Sequence, residues 1–126
     1  MHISKGKDVD LQRSSRDIFT GSVYQHTHID DATGKRLRIN LVKFAPGGRT
    51  TWHTHSFEQG LVIVEGRGIV ATEAHEHVVE PGDVIVIPPE EKHWHGGTET
   101  TSMAHYSINQ EGKTTVLEPV EKVLTD

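Results

Sequence analysis

Aliphatic and polar residues alternate along this chain in short bursts, and each burst stops at a turn rich in glycine or proline. The alternation predicts strands at 19–28, 36–45, 50–55, 59–65, 67–73, 77–80, 83–88, 93–97, 102–109 and 114–118. Between them lie "DATGK" at 31–35, "APGG" at 45–48, "EGRG" at 65–68, "EPGD" at 80–83 and "PPEEK" at 88–92. No stretch sustains a helical period. The expected class is all-β with little helix, one domain over residues 1–126, built as a sandwich, jelly roll or small barrel.

Period-two spacing also says which side chains share a face. In "RLRINLVKF", Leu37, Ile39 and Leu41 face one way while Asn40, Val42 and Phe44 face the other, so both faces have something to bury. The outward row needs a cover, which is either a second β layer of the same chain or a partner subunit. On the inward side, Asn40, Val42, Phe44, Leu61 and Ile63 have the parity to line a cavity, mostly apolar with a few polar groups. Trp52 and Trp94 have the opposite parity and are expected to pack outside.

Histidine breaks this apolar pattern. Of the 10 histidines, His53 and His55 form an i, i+2 pair inside a strand, and Gln59 shares their parity. His93 and His95 form a second such pair. His105 lies in "SMAHYSINQ" with Met103, Ser107 and Asn109 on its side. His26 with His28 and His75 with His77 repeat the spacing beside charged turns and are read as solvated; His2 is terminal. Imidazole nitrogens and an amide oxygen converging on one face are a ligand set for a borderline divalent ion.

Composition narrows the partners. The 126 residues contain no cysteine, which excludes a disulfide framework and thiolate metal sites. A net charge of -5 without a basic block argues against nucleic acid and favours a small-molecule substrate. The N-terminus has no apolar leader and "GLVIV" is far too short to cross a bilayer, so a cytoplasmic location with no membrane partner is expected.

Two segments resemble the cupin motifs. "GGRTTWHTHSFEQGLVIVEG" follows G-x5-H-x-H-x3-E-x6-G through Gly47, His53, His55, Gln59 and Gly66, with glutamine in the glutamate place. "GDVIVIPPEEKHWHGG" follows G-x5-P-x-G-x2-H-x3-N at Gly82, Pro88 and His93, with Glu90 in the glycine place and Gly97 in the asparagine place. The resemblance implies a jelly-roll β-barrel with its core at about 36–110, commonly a homodimer. It also implies one divalent transition ion per subunit, manganese first, with iron, nickel, zinc and cobalt as alternatives. The implied ligands are His53, His55, Gln59 and His93.

Within the cupins, "PGGRTTWHTH", "EKHWHG" and "TTSMAHYSI" are most similar to a small subgroup that includes manganese-dependent hydroxynitrile lyases and cupins associated with carboxymuconolactone decarboxylases. That resemblance implies C–C cleavage at an oxygen-bearing carbon, with His105 as base; His95, on the same face as His93, is the other candidate. Four neutral ligands would leave the full dipositive charge on the ion and favour Lewis-acid chemistry. An iron or nickel dioxygenase, an isomerase or decarboxylase, and a non-catalytic ligand-binding cupin are the alternatives. Glu58 has the wrong parity to replace Gln59.

Overall fold

The computed structural model describes residues 1–125. One 3-10 turn, Gly6–Asp8, is followed by thirteen strands. They are β1 (Gln12–Arg13), β2 (Phe19–Thr20), β3 (Val23–Ile29), β4 (Leu37–Phe44), β5 (Arg49–Thr50), β6 (His53–His55) and β7 (Gln59–Gly66). After these come β8 (Gly68–Thr72), β9 (Glu76–Val79), β10 (Val84–Ile87), β11 (His93–Gly97), β12 (Met103–Gln110) and β13 (Thr114–Val116). No helix among the described residues is long and apolar enough to cross a membrane.

The expected strand 19–28 is divided at Gly21, whose φ of +78° turns the chain where an L side chain would be strained. The expected strand 50–55 is likewise divided at Thr51 and Trp52, which bond to Ile18 and to Glu118 and Leu117 instead of to a neighbouring strand. Strand β1 escaped the alternation rule because it is two exposed residues long.

Two antiparallel sheets pack face to face. One has the order β1-β3-β4-β12-β7-β10, and the other runs β13-β6-β11-β5-β2 with β8 and β9 attached through β11. Val23, Val42, Phe44, Leu61, Ile63 and Met103 are buried together between them. In β12, Met103, His105 and Ser107 are buried while Tyr106 and Ile108 face outward as expected, but Ala104 is buried as well, next to a register shift in the pairing with β7.

The outward tryptophan finds its cover within the chain. Trp94 is 1% exposed and packs with Ile69, Ala71, Val120 and Val123, so the C-terminal segment seals the outside of the second sheet. Burying an indole removes roughly 150–250 Å² from water, a gross gain of about 4–6 kcal/mol. Arg49 ties that segment down, donating from Nε and Nη2 to the Val120 carbonyl at 3.0 and 2.8 Å. Trp52 is half-buried beneath Lys92, whose ammonium sits 5.2 Å from its ring and pairs with Glu73 and Glu118.

The outside of the first sheet is different. Cross-strand pairing puts Val84, Val62, Tyr106, Leu41 and His26 in one row. Ile39 and Leu41 are half-buried, Leu37 is 44% exposed, and Val84 and Val86 on the edge strand are 73% and 62% exposed.

Glu90 is the one non-glycine among the described residues with positive φ, at 66°. It occupies the place where the cupin motif has glycine, and its amide donates to the His55 carbonyl at 2.8 Å, so the turn that leads into His93 needs this left-handed geometry. Left-handed backbone costs an L residue about 1–2 kcal/mol, partly offset by the greater entropy glycine loses on folding. Glu90→Gly is expected to raise stability by about 0.5–1 kcal/mol in urea titration; a loss would mean that the glutamate side chain holds this turn.

Candidate metal centre

Three strands bring the ligand candidates together. In β6 the single residue between His53 and His55 puts both rings on the inner face, and His53 lies directly opposite His93 in β11. Gln59 opens β7, opposite Ile87. One nitrogen each from His53, His55 and His93 lies within 4.8 Å of the other two.

Each ring is aimed by its other nitrogen. The Nδ1 of His53 bonds the Thr51 carbonyl, that of His93 the Glu91 carbonyl, and that of His55 the Thr114 hydroxyl, all at 2.8 Å. A ring whose Nδ1–H is held by an acceptor carries its lone pair on Nε2, which is how metal-binding histidines are commonly oriented. Gln59 is aimed in the same way. Its amide nitrogen donates to Ser107 Oγ at 2.9 Å and Asn109 Oδ1 at 2.8 Å, which leaves its oxygen 3.2 Å from His93 Nε2.

These donors fit a divalent ion. His55 Nε2 is buried without a partner, a costly state for a polar atom unless something binds it. Burial pushes the His53 imidazole down to about 2 and that of His55 to about 4, with repulsion from His93 second in each case; burial also lowers His93. All three rings are therefore neutral at physiological pH, the form that binds a cation. Three imidazoles and an amide oxygen match manganese, iron, cobalt, nickel or zinc better than calcium or magnesium.

His95 and His105 stand beside this set and bond each other, His105 Nε2 to His95 Nδ1 at 2.9 Å. Phe44 packs against both rings at 5.8 and 5.5 Å. Neither His95 Nε2 nor His105 Nδ1 has a partner among the described residues. Burial pushes His105 down to about 4 and, with repulsion from His105 second, His95 well below its ordinary value.

His53, His55, Gln59, His95 and His105 line one cavity of about 60 Å³, and His93 does not. Of the expected lining residues, Asn40, Val42, Ser107 and Asn109 are in its wall, whereas Phe44, Leu61, Ile63 and Met103 are not. Those four fill the hydrophobic core beneath it. The wall is correspondingly more polar than expected, because Arg16, Gln25, Thr50 and Thr114 join it. Gln25 was legible in part, since it alternates with Val23; pairing with Val42 is what brings it inside. Arg16 lies in no strand and carries no periodic signal.

The buried histidines set a pH dependence for the metal-free protein. In the unfolded chain each imidazole titrates near 6.5, while the folded rings of His53, His55, His93, His95 and His105 stay neutral to lower pH. Between these limits the unfolded state binds more protons, so stability falls as the pH falls. It is fully present above about 6.5 and declines toward about 4, where His55 and His105 begin to protonate in the folded state as well. Each ring contributes at most about 1.4 kcal/mol per pH unit. Urea midpoints at pH 7.5, 6 and 5 are expected to drop in order; a flat series would contradict neutral burial.

Comparison with known proteins agrees with this geometry. Residues 40–109 match the cupin domain family. An (R)-mandelonitrile lyase of Granulicella tundricola is 44% identical over 108 residues, which is 82% of each chain. A cupin-like protein of Thermotoga maritima superposes with a TM-score of 0.83 at 31% identity, covering 87% of this chain and 86% of that one. The polyketide cyclase RemF of Streptomyces resistomycificus shares the fold with a TM-score of 0.81 at 20% identity, covering 96% and 88%. With both motifs, both sheets and the histidine cluster in register, the chain belongs to the cupin family.

Proposed function

We propose that this cupin is a metal-dependent lyase that cleaves a carbon–carbon bond at an oxygen-bearing carbon, in the manner of a hydroxynitrile lyase. The observation that carries the reading is a neutral donor set, His53, His55, His93 and Gln59, beside a histidine pair that is free to move a proton. Similarity to an (R)-mandelonitrile lyase supports it. One divalent transition ion per subunit, manganese first, would supply Lewis acidity toward the substrate oxygen.

The chain's own groups account for the rest. The Ser107 and Asn109 bonds keep the Gln59 oxygen turned to the histidines. His105, neutral and buried, takes the hydroxyl proton of a cyanohydrin as the bond to the nitrile carbon breaks, and the proton then passes to the departing cyanide, leaving an aldehyde or ketone. The bond to His95 orients the base and spreads the charge it gains. His95 and His105 are both buried, which limits their contact with bulk water.

Two sets of substitutions test this reading. His53→Ala, His55→Ala and His93→Ala should each weaken manganese binding by far more than substitution of His26, His28, His75 or His77, measured by calorimetry. His105→Ala should keep the metal and lose cyanohydrin cleavage by about a hundred-fold or more. If His105→Ala is fully active, or loses the metal, His105 is not the base and His95 is the remaining candidate.

The same reading includes a small-molecule substrate and a homodimer, with neither nucleic acid nor membrane as partner. Support for the dimer is the apolar row through Val84, Val62, Tyr106 and Leu41. The C-terminal segment that seals Trp94 is packed on the other sheet, so a second copy is the occupant proposed for this one. Sedimentation should give a dimer at micromolar concentration and a folded monomer for Val62→Lys; a monomeric parent overturns it.

A further inference from the structure

The cavity wall has a charge pattern that a neutral cyanohydrin does not use. Among the described residues, Arg16 is the one cation in it apart from histidine, and no aspartate or glutamate lines it, in a chain whose net charge is -5. Arg16 makes no salt bridge and no side-chain hydrogen bond among the described residues. Its guanidinium lies 5.9 Å from the Phe19 ring, which is part of the same wall. The loop that carries it is held in place: the Ser14 amide donates to the Val23 carbonyl at 2.8 Å and the Phe19 amide to the Arg16 carbonyl at 3.1 Å. The guanidinium is close enough to His53 and His55 to add to the depression of both rings.

A second donor stands in the same wall. The Asn40 side-chain oxygen accepts from Thr27 Oγ1 at 2.7 Å, which leaves its NH2 group uncommitted. The other charges belong to a wider mouth outside the cavity, which Arg16 and Asn40 also line. There Arg38 Nη1 donates to the Gly34 and Leu37 carbonyls at 2.8 and 2.9 Å, and Asp30 closes its own turn through Thr33 and Ala32. Asp31 and Glu111 also lie at that mouth and not in the cavity wall.

We infer that the natural substrate carries a carboxylate, held by Arg16 and Asn40 at the cavity mouth while its oxygen-bearing carbon faces the histidines and Gln59. A guanidinium presents paired donors that match a planar carboxylate, and one cation balances a monoanion better than a doubly charged phosphate ester. The inference rests on the metal-dependent reading of the same site. It makes Arg16 a specificity-determining residue and leaves a neutral cyanohydrin as a substrate that does not engage it.

The test keeps one skeleton and changes one group. Manganese-loaded protein is titrated by calorimetry with mandelate, with mandelamide as its neutral counterpart and with phenyl phosphate; metal content is measured in every sample. The parent should bind mandelate at least about ten-fold tighter than mandelamide, and tighter than phenyl phosphate. Arg16→Met should abolish the preference for mandelate over mandelamide with the metal content unchanged. Arg16→Lys should restore only part of it. An unchanged preference in Arg16→Met, equal binding of acid and amide by the parent, or tighter binding of phenyl phosphate overturns the inference. Protein that takes up no manganese would instead remove the lyase reading, and the same acid–amide contrast on that metal-free protein would still decide the role of Arg16.

Discussion

The centre of this protein depends on the pairing of two very short strands. His53 in β6 faces His93 in β11 across a single pair, and a slip of one residue would turn one of the rings to the opposite face of the sheet. Three residues cannot hold such a register alone, so contacts on every side pin it. Glu90 bonds the His55 carbonyl, Thr114 in β13 pairs with His55, and Gly97 bonds the Gly48 carbonyl. Arg49 then anchors the C-terminal segment over Trp94. The metal-facing geometry is thus supported from outside the sheet as well as from within.

Polar burial at this density has a physical condition attached. His53, His55, His93, His95 and His105 are all buried, and a charged imidazole there would be strongly disfavoured. The rings tolerate the site because they are neutral and most of their nitrogens have acceptors or donors. Three of the others, His55 Nε2, His95 Nε2 and His105 Nδ1, are fully buried without a partner and mark where ligand chemistry is directed. Phe44 and the core beneath it supply the low-dielectric support that keeps them neutral.

Glutamine in the glutamate position is consistent with its surroundings. Ser107 and Asn109 offer acceptors to the Gln59 amide nitrogen, and Ser107 in turn donates to Asn109 at 3.1 Å. A carboxylate has no hydrogen to give those acceptors, so the neutral residue and its two neighbours form one unit. The same neutrality leaves the cavity without a negative group among the described residues, which is the background against which the Arg16 charge stands out.

Period-two alternation and motif spacing determined which faces His53, His55, Gln59, His93 and His105 occupy, because strand parity is local and needs no knowledge of neighbours. The same signals placed Asn40, Val42, Ser107 and Asn109 in the cavity wall. Parity could not say how deep a residue lies along its strand, so Phe44, Leu61, Ile63 and Met103 shared the inward face yet ended in the core below the cavity. Nor could it foresee that Trp94 would be covered by Val120 and Val123, since that contact joins segments distant in sequence. Arg16 was illegible for the same reason: a loop residue has no period, and only the packing of its loop across the mouth of the barrel brings its charge to the histidines.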